Sequence, residues 1–370
     1  MWFIGFIFLI YLLTLSVLLF SLMSIKSEET SSTHSAINFS IIVAFRNEEN
    51  NLSNFVQSLK SIQYPTSQFE IILINDHSTD ASVERIQAFV DANAHVQLLY
   101  LNQKQTGKKA ALQVGIDAAQ FNYIITTDAD CFVPENWLYT YSKKIQQTNA
   151  AAIIGSVGVT HTKTFLTRFQ YYDLMALQAV GFAFANLNKP ILCNGANFCY
   201  QKAAFLKVNG FQGNEKQPSG DDVLLLQKFV AAHLKIDFLI HQDNLVLTKA
   251  ISELTPFVQQ RKRWFYKTRH TSSILQKAMG LLLLTTNFSL LGLLIWSIFD
   301  ISHIINLIVL LIVKLTIDFF LTFELAKKAK LPFCFTDFMI ANLFYPFGIA
   351  MFFSYLTNSR IKWKQREYQS

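Results

Sequence analysis

Of 370 residues, 51% are apolar, only 15% are charged, and Phe alone supplies 34. An ordinary soluble domain carries roughly a quarter charged residues, so the balance excludes a plain water-soluble globule and indicates membrane association. The net charge of +7 does not imply nucleic acid, because Lys and Arg are dispersed or flank apolar runs, with no basic stripe interleaved with aromatics.

The first element is an uncharged apolar run, Met1 to Met23, about long enough to cross a bilayer core. With no basic leader and no small-residue cleavage site, it reads as a spanning anchor rather than a cleaved signal peptide. From Asn38 onward, strand-length apolar runs alternate with helical patterns. IIVAF is followed by Leu52, Phe55, Val56 and Leu59 at helical spacing, then by IILIN. Thr79 can cap a helix carrying Val83, Ile86 and Val90; VQLLYL is the next strand, Gly107 to Ala119 the next helix, and YIITT the strand after it. This order predicts an α/β domain with a largely parallel sheet. Further on, Leu281–Phe299, Ile301–Phe323 and Phe335–Leu356 are long apolar runs, the last interrupted at Pro346 and Gly348. The reading divides the chain into an anchor (1–24), a cytoplasmic domain (25–270), a membrane region (271–357) and a basic tail (358–370).

Ligands of open parallel sheets bind beyond the carboxyl ends of the strands. Here those ends carry Arg46, Asn47, Glu48 and Glu49; Asn75 and Asp76; and Asp128 and Asp130. Asp128 and Asp130, two apart just past a strand, can aim both carboxylates at one hard cation, Mn²⁺ or Mg²⁺. Alone, such a pair is more often a solvated turn. In SGDDVLLL, Asp221 and Asp222 open an apolar helix, where either can serve as a cap or as a general base for an attacking hydroxyl. TGKKAAL starts a helix whose N–H groups and Lys108 can approach phosphate, without the spacing of a phosphate loop. In QQRKRWFYKTR, Gln260, Arg263 and Trp264 sit on a basic amphipathic helix. It either lies at the membrane interface or offers Arg263 to a diphosphate and Trp264 to a sugar. Lys314 and Asp318, one turn apart in an apolar run, are costly in lipid and are expected to pair. Cys131, Cys193, Cys199 and Cys334 have neither zinc spacing nor the density of a disulfide framework, as suits a reducing compartment.

Six of these segments in order resemble the family 2 glycosyltransferases, especially the N-acetylglucosaminyltransferase and polysaccharide-synthase branch. They are VAFRNEE (43–49), INDHSTD (74–80), GKKAAL (107–112), TTDAD (126–130), GDD (220–222) and QRKRW (260–264). The resemblance implies a GT-A domain with a Rossmann-like mixed sheet, one N-terminal membrane helix and two to three C-terminal ones. It implies that Ala44, Asn47 and Glu48 line the nucleotide pocket, Asp76 contacts the nucleoside, Asp128 the nucleotide and Asp130 the metal. Asp222, beside Asp221, would be the base; Gln260, Arg263 and Trp264 match the family's Gln-x-x-Arg-Trp element; and NGANF, with Asn194 and Gly195, faces the acceptor. Two departures are Phe45-Arg46 where many members have a nearby Pro, and His77 where Gly is common.

The function so implied is inverting transfer of a sugar, with a UDP-linked donor favoured, to a lipid or membrane-associated glycan. Nucleotide sugars are cytoplasmic, so the domain is expected on that side of a cell (inner) membrane. Lys327, Lys328 and Lys330 then obey the positive-inside rule, whereas a third full crossing would export Arg360, Lys362, Lys364 and Arg366. Phe335–Leu356 is therefore expected to be re-entrant or interfacial. A processive polysaccharide synthase and a non-catalytic membrane scaffold are the alternatives.

Overall fold

The computed structural model describes residues 1–26, 37–160, 164–215, 217, 220–355, 360–363 and 366–369. Two compact units emerge, one of Ser27–Gly158 with Leu192–Lys249, the other of Met1–Lys26, Val159–Ile191 and Ala250–Ser370. The stretch 25–270, expected as one domain, is thus divided: 159–191 and 250–270 group with the apolar helices.

After an apolar helix α1 (Trp2–Ser24), the chain enters a sheet through β1 (Phe39–Phe45), α2 (Glu49–Lys60), β2 (Phe69–Asn75), α3 (Ser82–Asp91), β3 (Val96–Tyr100), α4 (Lys108–Ala118) and β4 (Tyr123–Asp128). Next come β5 (Cys131–Phe132), α5 (Trp137–Thr148), β6 (Ala152–Ile154) and β7 (Val157–Val159). The chain then forms α6 (Phe165–Asn186) and continues with β8 (Phe198–Gln201), α7 (Lys202–Lys207), α8 (Val223–Ala231), β9 (Ile236–Phe238) and β10 (Val246–Thr248).

The large sheet has the order β3-β2-β1-β4-β8-β6-β9. Its β1, β2, β3 and β4 are parallel, as the alternation predicts, while β8 runs antiparallel to both β4 and β6, so the sheet is mixed. Both β1 and β2 are buried along nearly their whole length, which is why they read as unbroken apolar runs rather than alternating ones. Helix α2 buries Leu52, Phe55, Val56 and Leu59, the predicted stripe. In α3 the buried residues are Ser82, Ile86 and Phe89, and Val83 and Val90 are only half-buried. Thr79 does not cap this helix; the Asp80 carboxylate instead accepts from the Ser82 backbone N–H at 3.1 Å. Strand order reverses around β1, with β2 on one side and β4 on the other, and the register sets Ala44 beside both Ile74 and Asp128. Strand ends that the sequence separates by dozens of residues therefore finish level at one switch point.

The second unit contains α1, α6, α9 (Leu254–Arg269), α10 (Ile274–Phe299), α11 (Ile304–Ala329), α12 (Phe335–Tyr355) and a hairpin of β11 (Arg360–Trp363) and β12 (Arg366–Gln369). Lys364 of the basic tail lies outside the described residues. Among the described residues, four helices are long and apolar enough to cross a membrane: Trp2–Ser24, Ile274–Phe299, Ile301–Ala329 and Phe335–Phe353. The break expected at Pro346 does not appear; α12 runs continuously through it. A helix can pass over a proline where neighbours and local adjustment re-satisfy the freed carbonyl. On α1, Phe3, Phe6, Leu13, Val17 and Phe20 are exposed, an apolar face suited to lipid.

The charged pair Lys314–Asp318 lies inside this unit. The Lys314 ammonium, 1% exposed, donates to Asp318 Oδ2 at 2.6 Å, and the Tyr11 hydroxyl donates to Asp318 Oδ1 at 2.6 Å, so the expected pair forms and also holds α1. Lys314 Nζ also lies 5.5 Å from the centre of the Tyr345 ring, whose hydroxyl donates to Asp173 Oδ1 on α6 at 2.9 Å. Helix α6, counted with the soluble domain from the sequence, is tied here by hydrogen bonds to α1 as well: Ser21 Oγ donates to Ala183 O at 2.8 Å.

Candidate active site

The site in the sheet unit begins at the carboxyl end of β1. Asn47 takes a left-handed backbone conformation (φ +53°), its N–H donates to Ser78 Oγ at 3.0 Å, and its Oδ1 accepts from Thr79 N at 2.9 Å. Asn tolerates this region because its short polar side chain bonds locally. Arg46 Nη1 donates to the carbonyls of Asp76 and His77 at 2.9 and 2.8 Å, clamping the turn after β2 onto the turn after β1. Glu48 is buried, with its N–H on Ser82 Oγ at 2.7 Å and its Oε2 accepting from Asn51 at 2.7 Å.

Asp76 is 2% exposed, and its Oδ2 accepts from the Gly107 N–H at 3.0 Å. Gly107 stands at φ +96°, a conformation that favours glycine, and delivers the chain into α4 with Lys108 as its first residue. The Lys108 ammonium lies between two carboxylates, 2.7 Å from Asp128 Oδ1 and 2.9 Å from Asp221 Oδ2. Burial by itself would push this ammonium down, but Asp128 and Asp221 outweigh it and hold it well above its ordinary range. The adjacent Lys109 donates to the carbonyls of Asn214 and Gln217 at 2.6 and 3.1 Å. Two consecutive lysines thus hold the segment that leads into Gly220-Asp221-Asp222.

Asp222 is the N-cap of α8: its Oδ1 accepts from Val223 N at 2.6 Å, as the capping reading expects. Its Oδ2 accepts from the Gly195 N–H at 3.2 Å, so the same carboxylate also fixes the NGANF loop. A Cβ at Gly195 would come 2.9 Å from Asp221 Oδ2 and 3.4 Å from Lys108 Nζ, and this close approach explains the glycine. Asn194 turns the loop through its Oδ1, which accepts from Ala196 N at 3.0 Å.

Asp128, Asp130 and Cys131 form a cluster whose ligand atoms all lie within 4.8 Å of one another. Burial first, then the charges of Asp130 and Asp128, push the Cys131 thiol well above its ordinary range. The thiol donates toward Asp130 Oδ1 at 3.7 Å. The two carboxylates of the cluster, Asp128 and Asp130, offer the hard oxygen ligands that suit a divalent cation such as Mn²⁺ or Mg²⁺.

The structure thus gathers Asp128, Lys108, Asp221, Asp222 and Gly195 into one connected cluster, with Asp130 beside Asp128, and sets Ala44, Asn47, Glu48 and Asp76 at the neighbouring strand ends. Gln260, Arg263 and Trp264 lie on α9 in the helical unit and are half-buried there. Beside them, Arg261 pairs with Asp173 at 2.5 Å and stacks at 4.3 Å on Trp264 and 4.7 Å on Phe257. Arg261, within this basic stretch, therefore points into the helical unit.

Residues that the sequence did not single out complete the frame. Asn197, fully buried, accepts at Oδ1 from Trp137 Nε1 (2.9 Å) and the Tyr141 hydroxyl (2.7 Å), and donates from Nδ2 to the carbonyls of Ser156 (2.8 Å) and Asn244 (2.7 Å). It saturates its amide with four partners and anchors the loop bearing Asn194 and Gly195. Asn197 and Lys109 both fall inside quoted motifs, but their partners are distant in sequence and no local pattern marks them.

Residues 40–206 match the family model described as glycosyl transferase family 2. The chain is 31% identical over 117 residues to the glycosyltransferase GlyA of Streptococcus pneumoniae, covering 32% of this chain and 16% of that protein. It is 30% identical over 103 residues to dodecaprenyl-phosphate galacturonate synthase of Rhizobium johnstonii, covering 27% of this chain and 30% of that one. The chain therefore spans less than a third of the length of either curated relative. Among solved structures, the mannosyltransferase PcManGT of Pyrobaculum calidifontis superposes with a TM-score of 0.58 at 14% identity, covering 88% of this chain and 95% of that one, which shows a shared fold. Around its strand-end acids, this chain carries a family 2 glycosyltransferase domain in the GT-A fold.

Proposed function

We propose that the protein is a membrane-bound inverting glycosyltransferase that moves a sugar from a nucleotide-sugar donor, UDP-linked in the favoured case, to a lipid or membrane-associated glycan. The observation that carries this reading is the convergence of Asp128 and Asp130, at the end of β4, with the Asp221–Asp222 segment around Lys108. Donor-side and acceptor-side groups of a displacement reaction need that proximity. The lipid acceptor is supported by the four long apolar helices and by a relative whose name includes dodecaprenyl phosphate. With nucleotide sugars made in the cytoplasm, the sheet unit is assigned to the cytoplasmic face of the inner membrane.

In this reading Ala44, Asn47, Glu48 and Asp76 line the nucleotide pocket, where the Arg46 clamp and the Gly107 N–H fix the surrounding turns. Asp128 and Asp130 hold a Mn²⁺ or Mg²⁺ ion, which supplies positive charge against the leaving diphosphate. Asp222 takes the proton of the acceptor hydroxyl. Its oxygens accept the backbone N–H groups of Val223 and Gly195, which hold the carboxylate in place at the head of α8. Asn194 and Gly195 border the acceptor, and Gln260, Arg263 and Trp264 are assigned to the donor through their resemblance to the family's Gln-x-x-Arg-Trp element.

The test is thermal stability of the detergent-purified protein against UDP-, GDP- and dTDP-sugars, with and without Mn²⁺, for wild type and Asp130→Ala. Metal-dependent stabilisation by one nucleotide class, lost in Asp130→Ala, is the expected result and names the donor class. A folded wild-type protein stabilised by none of them would overturn the reading and favour a non-catalytic scaffold.

A further inference from the structure

We propose that Lys108 is a built-in counter-cation that tethers the Asp221–Asp222 segment to the donor-side carboxylate Asp128, and that a divalent cation taken up by Asp128 and Asp130 releases the tether. This inference rests on the metal reading above and adds to it a link between the two halves of the site.

Lys108 is placed for the task by its position as the first residue of α4, where the Gly107 N–H is pinned to Asp76 Oδ2 at 3.0 Å. Its ammonium is 2.7 Å from Asp128 Oδ1 and 2.9 Å from Asp221 Oδ2, and its side chain is only 21% exposed. A single positive charge thus bridges two carboxylates that would otherwise repel each other in a partly buried place, and it offsets one of their two negative charges. Gly195 leaves room for the bridge, since a Cβ there would come 2.9 Å from Asp221 Oδ2 and 3.4 Å from Lys108 Nζ.

Asp128 is also in the carboxylate cluster suited to a hard cation, with Asp130 beside it. A dication on that cluster competes with Lys108 for the same oxygens and repels the ammonium at short range. Once Asp128 is taken, Lys108 no longer spans the gap, and the Asp221–Asp222 segment loses its direct tie to the end of β4. Lys109 is the internal contrast. It holds the same segment further upstream, through the carbonyls of Asn214 and Gln217 at 2.6 and 3.1 Å, with its ammonium on neither Asp128 nor Asp221 in these bonds. Loading of the donor side thereby frees the residues that face the acceptor, while Lys109 keeps the segment from leaving altogether.

The experiment uses the full-length protein in nanodiscs, without nucleotide. Mn²⁺ is titrated by the paramagnetic resonance signal of the free ion, and hydrogen exchange is followed over residues 220–226. Lys108→Met is expected to bind Mn²⁺ about tenfold more tightly than wild type, the scale of removing one nearby like charge at a partly screened site. Its segment 220–226 exchanges fast without metal. Wild type reaches that exchange rate only after Mn²⁺ is added, and Lys109→Met keeps the wild-type Mn²⁺ affinity. Wild-type binding of Mn²⁺ with unchanged exchange over 220–226, or equal Mn²⁺ affinity in Lys108→Met, would overturn the tether and leave the metal reading intact. The wild-type exchange result stands even if Lys108→Met does not fold. Failure of every variant, wild type included, to bind Mn²⁺ would remove the metal reading and the tether together.

Discussion

Replacing Asp222 by Asn keeps the side chain's size and one capping oxygen while removing the charge that a proton acceptor needs. The bond from Val223 N to Oδ1, 2.6 Å in the wild type, survives with the oxygen placed there. The new amide NH₂ then faces the Gly195 N–H, which bonds to Oδ2 at 3.2 Å in the wild type, and a buried donor is left without its acceptor. Such a loss costs about 1–3 kcal/mol. At about 2–4 °C per kcal/mol for a domain of about 150–250 residues, the melting point falls by about 2–12 °C. Asp222→Ala forfeits the cap as well, a further cost of about 0.5–2 kcal/mol. Loss of a general base lowers turnover by about 10²–10⁴-fold, far more than partial unfolding at assay temperature explains. The assay is transfer of labelled sugar to membrane acceptor, read beside melting curves with and without donor. Turnover of Asp222→Asn within about threefold of wild type, together with the lowered melting point, would refute the base and leave Asp222 as a helix cap.

Asn197→Ala strands the Trp137, Tyr141, Ser156 and Asn244 groups that its amide satisfies, and is expected to cost about 3–5 kcal/mol, seen as a large drop in melting point or in folded yield. Lys314→Met leaves the Asp318 carboxylate without its cation in the helical unit and costs about 3–5 kcal/mol in detergent melts, whereas Lys314→Met with Asp318→Leu recovers most of it. Burial alone would raise the Asp80 carboxyl, but hydrogen bonds from Ser82 and the Glu49 N–H hold it below its ordinary 3.8. A lowered folded pKa means stabilisation that is present above the ordinary value and lost as pH falls through the folded one. Asp80→Asn should therefore melt lower than wild type at neutral pH, with the gap closing below about pH 4 in melting curves taken across pH.

Local pattern carried the elements that depend on local rules. The stripe Leu52, Phe55, Val56 and Leu59 and the almost wholly buried runs of β1 and β2 follow from periodicity and apolar content, and the strand-end acids could be read because parallel topology fixes where strands finish. The order of the six motifs added the family. Antiparallel β8 was not legible, since direction in a sheet is set by which edge the returning chain meets and not by its own residues. Nor was the place of α6. As a 22-residue helix it reads like any helix of a soluble domain, and only its buried face and its hydrogen bonds to α1 assign it to the apolar bundle. That Asp80 and not Thr79 accepts the first N–H of α3 turned on a backbone path that neighbouring residues do not fix. The bridge from Lys108 to Asp128 and Asp221, and the Asn197 hub, join residues dozens of positions apart. The sequence supplied their chemistry, and the fold decided their partners, because a charge or an amide takes its role from whatever the packed chain brings within hydrogen-bonding distance.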